Sequence, residues 1–365
     1  MSSHYVAIRG AGLVTSVGLD TASACAALRC RLNNFIELGF IDHEHKPVIG
    51  APVPWAGMGT GLDKLAQMAA SAIRQALAAD PHIALASTPL LLCLAEPGRA
   101  GRMADLDTGI VGKLEQQFAH PVHPESALLA EGQTGVASAL HLARKFLFNK
   151  GHVAVLIVAA DTFINRSAIV RNLDEQRLLA SGIRAGFIPG EAAGALLVQR
   201  ADSRRDVELV VFGQGAALEQ AGRDSDLPLR ADGLTAAIAH ALKGANATSA
   251  ELDLCVSDAN GEHYRFDELA LAQIRTQTAT PLWLPAESLG ETGSVVGCVQ
   301  YAWLLEAQKK YYMPGNNALC LAGNDAGRRT AHIVAFEYSQ PYRAAFAASQ
   351  PMYKKIPKRG GRNGA

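Results

Sequence analysis

No stretch of this sequence approaches the roughly twenty apolar residues that a membrane-crossing helix needs. The opening Met1-Ser2-Ser3-His4-Tyr5 lacks the apolar core of a signal peptide, so a soluble, cytoplasmic protein is expected. Net charge is absent too. Thirty-four basic residues balance thirty-four acidic ones, which argues against electrostatic capture of nucleic acid or an anionic membrane. Six cysteines occur without a CxxC pair, and several lie in apolar runs such as Leu91-Leu92-Cys93-Leu94, as buried reduced thiols do. His120 and His123 share a Pro-rich stretch that offers no third ligand, so no metal is expected. A Walker loop, a GxSxG elbow and an HExxH helix are all missing, and no cofactor is expected.

What is present is a large apolar fraction, 49% of 365 residues. A chain of this length buries about three quarters of its unfolded surface. Short apolar runs bounded by turns read as buried strands at Tyr5–Ile8, Leu90–Leu94, Val153–Ala159, Ala195–Val198, Val207–Phe212, Leu254–Ser257, Ala318–Leu321 and His332–Phe336. Between them, helical spacing marks Leu62–Ala79, Leu234–Leu242, Phe266–Ile274 and Val295–Ala307. Thr134–Phe148 is apolar on most sides and is expected to be a central buried helix. The alternation predicts an α/β protein with largely parallel sheets. The polar run Arg200–Asp206 divides the chain into halves at 1–205 and 206–340, followed by a basic tail over 341–365 that is expected to be disordered.

Four segments, in order, resemble the β-ketoacyl-carrier-protein synthases of the thiolase superfamily. Val6–Gly18 is similar to the family's opening strand and glycine turn. Arg184-Ala185-Gly186-Phe187-Ile188-Pro189-Gly190-Glu191-Ala192-Ala193-Gly194-Ala195-Leu196-Leu197-Val198 resembles the run RDGFVxGEGAGALVLE and is the most specific of the four. Leu289–Gly297 resembles the GHxxGAAG run, and Ala322–Gly327 stands where the family has a late glycine-rich loop. The resemblance implies a thiolase-like five-layer αβαβα fold built from two similar halves, and a homodimer.

The family's reaction uses a cysteine and two histidines, and the resemblance maps these onto other residue types. Gly132, in Ala130-Glu131-Gly132-Gln133-Thr134-Gly135, falls on the nucleophile position. Asn260 falls on the first histidine and Glu291 on the second, while Ala286 takes the place of a lysine found in many synthases. Asparagine donates a hydrogen bond but shuttles no proton near pH 7. A carboxylate repels a malonyl group, by ~4 kcal/mol at about 4 Å and an effective dielectric near 20. Gln133 is a candidate substitute for the nucleophile, since some decarboxylating relatives carry glutamine there. Glu131 and Glu291 are candidates for an acid/base pair, although hydrogen-bonded or ion-paired carboxylates, with Arg184 or Arg328 as partner, are the favoured expectation. His263 is expected to be an exposed loop residue.

These readings lead to a catalytically degenerate, ketosynthase-like scaffold, chaperone or adaptor with a protein client. The run from Tyr311 to Gly315 and on through Asp325–Arg328 is similar to a divergent thiolase-like branch. Some of its members are encoded beside type VI secretion effectors, which implies a role in effector loading. Two alternatives stay open: an acyl-thioester enzyme of acyltransferase or malonyl decarboxylase type, and a non-catalytic partner subunit of an active synthase.

Overall fold

The computed structural model describes residues 4–338 apart from 56, 58 and 203–206. The basic tail at 341–365 and most of the polar seam therefore lie outside the described residues. The strands are β1 (Val6–Thr15), β2 (Ile36–Ile41), β3 (Pro47–Gly50), β4 (Leu90–Leu94), β5 (Ala127–Ala130), β6 (Ala154–Thr162), β7 (Glu191–Arg200), β8 (Val207–Leu218), β9 (Leu254–Ser257), β10 (Leu282–Trp283), β11 (Asn317–Gly323) and β12 (Arg328–Tyr338). The α-helices are α1 (Thr21–Arg29), α2 (Gly61–Leu77), α3 (Leu106–Phe118), α4 (Gly135–Phe148), α5 (Arg166–Asp174), α6 (Asp232–Ala245), α7 (His263–Thr276), the short α8 (Ala286–Leu289) and α9 (Val296–Lys309).

Ten strands join in the order β10-β9-β11-β12-β8-β1-β7-β6-β4-β5. Read outward from the centre, the two halves repeat one pattern. The order β1-β7-β6-β4-β5 matches β8-β12-β11-β9-β10, with the same parallel and antiparallel pairings. A short antiparallel contact, Val6–Ile8 against Leu209–Val211, stitches the halves together.

Alternating side chains put one face of each half inward. Leu91, Ile157, Leu254 and Val334 close on Val136 and Leu140 of α4 and on Val299 and Leu304 of α9 in a single core cluster. Because α4 and α9 lie between the halves, α9 is buried almost all round, which is why its sequence is apolar without a clear polar face. Helices α2 and α3 cover the outer face of the N-terminal half, and α6 and α7 that of the C-terminal half. The result is five layers, αβαβα. Close packing of the outer layer has a visible cause at Gly12, where a Cβ would lie 1.8 Å from the Ala72 carbonyl oxygen of α2.

The sheet is mixed rather than largely parallel, which corrects the expectation from sequence. Strands β7 and β12 run antiparallel to both of their neighbours. Residues 324–327 alone connect β11 to β12, too short a link for the crossover a parallel pair requires.

Local signals set the helix ends. Asp20 caps α1 by accepting from the Ser23 amide at 2.9 Å and the Ser23 hydroxyl at 2.8 Å. Asp20→Ala should cost about 1 kcal/mol, seen as a lower urea midpoint with an unchanged slope. No described helix is long and apolar enough to cross a membrane.

Candidate functional site

The site is assembled at the carboxyl ends of the inner strands, the usual location for sites in α/β sheets. Just past β4 stands Glu96, near the end of β6 Asp161, past β9 Asn260, and past β11 Asn324. Facing them are two tight turns that lead into the inner helices, Gly132–Thr134 before α4 and Gly293–Val295 before α9. Gly132 and Gly293 share a φ of +56°, a left-handed backbone that glycine adopts without strain.

The structure brings Gly132, Gln133, Asn260 and Glu291 together. Asn260 donates its Nδ2 to Glu291 Oε2 at 2.6 Å, and the Gly293 amide donates to Glu291 Oε1 at 2.7 Å. Gln133 Nε2 lies 3.5 Å from Glu291 Oε1, at the limit of hydrogen bonding. Burial pushes the Glu291 carboxyl up to about 7, against the pull of its Asn260 and Gly293 hydrogen bonds. The backbone of Glu291 also ties the halves, donating to the Ile188 carbonyl and accepting from the Gly190 amide.

Glu96 and Arg99 are the residues that sequence reasoning missed. A Cβ built on Gly132 would lie 2.2 Å from Glu96 Oε2, so this carboxyl occupies the space a side chain at 132 would need. Burial raises the Glu96 carboxyl, with Arg99 pulling the other way. Arg99 grips Asp161 with two hydrogen bonds, 2.7 and 2.5 Å, and Asp161 accepts the Ser294 amide at 2.9 Å. Glu96 Oε2, Arg99 Nε and Gln133 Oε1 are buried without a hydrogen-bond partner among the described residues.

Charged pairs close the rim. Arg177 holds Glu262 with two bonds at 2.8 and 3.0 Å and reaches Asp325 at 2.7 Å, and Arg265 reaches Asp325 at 3.2 Å. Burial would raise the Asp325 carboxyl, but Arg177 and Arg265 prevail and hold it at about 2. Glu131 turns away from Glu291, bonding Ser138 at 2.6 Å and Arg328 at 2.9 Å, so no carboxylate pair forms and Arg328 is the partner. His263 starts α7 and is exposed. His120 is half-buried, and no group of His, Cys, Asp or Glu suited to a metal occurs among the described residues.

A thiol and an imidazole do meet elsewhere. Cys320 and His332 are cross-strand partners lining, with Gln133 and Tyr301, a cavity of about 10 Å³. That is room for one water at most. Burial pushes the Cys320 thiol far up and the His332 ring down to about 4, while Tyr301 hydrogen-bonds His332 Nδ1. An activated thiol needs the reverse: partial exposure and a positive neighbour. A larger cavity of about 400 Å³ opens outside, lined in part by Tyr264, Asn324, Asp325 and Arg329.

This architecture is that of ketosynthases. A type II polyketide ketosynthase, in a complex with its acyl-carrier protein, superposes with a TM-score of 0.72 at 13% identity, covering 91% of this chain and 99% of that one. A β-ketoacyl synthase from Burkholderia phymatum gives 0.71 at 14% identity, with the same coverage. A ketosynthase in complex with its chain length factor, from Xenorhabdus doucetiae, gives 0.68 at 13%, covering 91% and 98%. No family model matches the sequence, nor does any curated protein.

Proposed function

We propose that this chain is a non-catalytic ketosynthase-fold protein that acts by binding another protein, as a scaffold, chaperone or adaptor. One observation carries the reading: the Glu96 carboxyl fills the place beside Gly132 where the family's nucleophile would project. Around it, Asn260 and Glu291 stand in for the two histidines and satisfy each other rather than an incoming thioester. A buried carboxyl against a malonyl carboxylate is the wrong sign for decarboxylation. The glutamine route has little support, because Gln133 directs its amide at Glu291.

Incubation with malonyl- and acetyl-thioesters should leave the intact mass unchanged and release no carbon dioxide. Turnover or a stable acyl adduct would restore the enzyme reading. Purification from the native host should bring down a protein client, and a secretion effector or its adaptor is the version implied by the Tyr311–Arg328 resemblance. Recovery of the homodimer alone would remove the adaptor role.

The partnership of ketosynthase and chain length factor among similar structures supports a second reading, an inactive subunit paired with an active synthase. In that case the client is itself a ketosynthase and the complex is a heterodimer. A homodimer that persists at nanomolar concentration would count against it.

A further inference from the structure

The two halves differ where the outer helix returns to the sheet. In the N-terminal half, residues 78–89 join α2 to β4, and Ile83 and Leu85 from this link pack against the core beneath α2. The matching link from α6 to β9 is shorter, residues 246–253, and has Ser249 at the start of the same 3-10 turn that Leu85 begins. Beside the shorter link, and lined in part by its residues Asn246, Ala247, Glu251 and Leu252, lies a groove of about 270 Å³. Its apolar part includes Phe212, Leu252, Ile333 and Ala335. Its charged members are Glu251 and Glu337, with no Lys, Arg or His in the lining.

We propose that the chain's own C-terminal segment, 339–365, is the occupant of this groove. The last described residue, Tyr338, directly follows Glu337 in the groove wall, so a docking segment starts beside its site. A tether this short gives an effective concentration in the millimolar range. The segment carries Arg343, Lys354, Lys355, Lys358, Arg359 and Arg362 and no acidic residue, opposite in sign to the groove's carboxylates. Tyr342 and Phe346 stand four residues apart in an alanine-rich stretch bounded by Pro341 and Pro351. A cavity of this size takes one or two large side chains and not a globular partner. The Tyr342 and Phe346 rings match the groove's apolar part in chemistry, and the basic residues match Glu251 and Glu337 in charge.

Hydrogen exchange on the full-length protein tests this. In Tyr342→Ala/Phe346→Ala, amides of 245–252 and 333–337 should exchange about tenfold faster than in the parent, while those of β4 and β6 stay unchanged. Replacing Lys354, Lys355 and Lys358 with Glu should give a smaller loosening that high salt imposes on the parent as well. Identical exchange in parent and double variant overturns the proposal. Protection that grows with protein concentration also overturns it, by assigning the groove to a second copy.

Discussion

Gly132→Cys, which places a thiol at the position proposed above for the nucleophile, should lower stability by about 3 kcal/mol and still give no acyl adduct with acetyl-thioesters. A non-glycine residue at φ +56° costs about 1–2 kcal/mol. The new Cβ would begin 2.2 Å from Glu96 Oε2, and displacing a packed group costs about 1–3 kcal/mol more. The backbone around 132 favours a thiolate in one respect, since the turn leads directly into the N-terminus of α4. It lacks the rest. Asn260 accepts no proton near neutrality, and Glu291 above about pH 7 presents a negative charge to a negative thiolate. Urea denaturation of Gly132→Cys, Glu96→Ala and the double variant separates the terms. The overlap penalty should vanish in the double variant while the left-handed strain remains, a coupling of 1 kcal/mol or more. Alkylation of the thiol should also be faster once Glu96 is gone. A Gly132→Cys protein as stable as the parent would show that Glu96 does not hold this space.

Much of this fold was legible because its inner strands are continuous apolar runs, and Leu90–Leu94 and Leu254–Ser257 match the sequence reading end to end. Strands with weaker burial were not. Edge strand β5, Ala127–Ala130, is half exposed and reads as well in a helix, and β10 has only two residues. The β2–β3 hairpin forms its own sheet, its inward Leu38 and Phe40 packing on a small separate cluster, which no periodicity in six residues reveals. Four helices, α1, α3, α5 and the short α8, escaped as well. The cap signal for α1, Asp20 with Ser23 three residues on, was nonetheless present in the sequence. Within the candidate site, Gly132, Gln133, Asn260 and Glu291 are singled out in the sequence by the resemblance, and the structure places them side by side. Glu96 was missed because nothing local links it to Gly132, thirty-six positions later. A carboxyl immediately after a buried parallel strand was the available signal, since that is where such sheets place functional groups. The direction of antiparallel β7 and β12 was hidden for a different reason: a buried strand is apolar on both faces whichever way it runs.

Replacing Glu291 with Gln should make stability more acid-sensitive than in the parent, because it removes a buried group whose pH dependence opposes that of buried His332. Glu291 titrates at about 7 in the fold against an ordinary 4.5, so its protonated form is favoured there. A raised carboxyl contributes stability that is fully present below pH 4.5 and lost as pH rises through 7, about 3 kcal/mol in all. His332 acts in the opposite sense. Burial lowers its ring from 6.5 to about 4, so its contribution is present above 6.5 and lost as pH falls through 4, again about 3 kcal/mol. Between pH 4.5 and 6.5 the two slopes offset, with Glu96, Asp258 and Glu268, all raised chiefly by burial, adding to the Glu291 side. Relative to the parent, Glu291→Gln should therefore gain about 3 kcal/mol between pH 4.5 and pH 7. His332→Gln, which can still accept the Tyr301 hydroxyl, should gain a similar amount between pH 6.5 and pH 4. Chemical denaturation at half-unit pH steps measures both differences. If the Glu291→Gln difference is flat across this window, Glu291 titrates as an ordinary exposed acid, and the closed acid–amide cluster of Glu291 with Asn260 and Gln133 is not formed in solution.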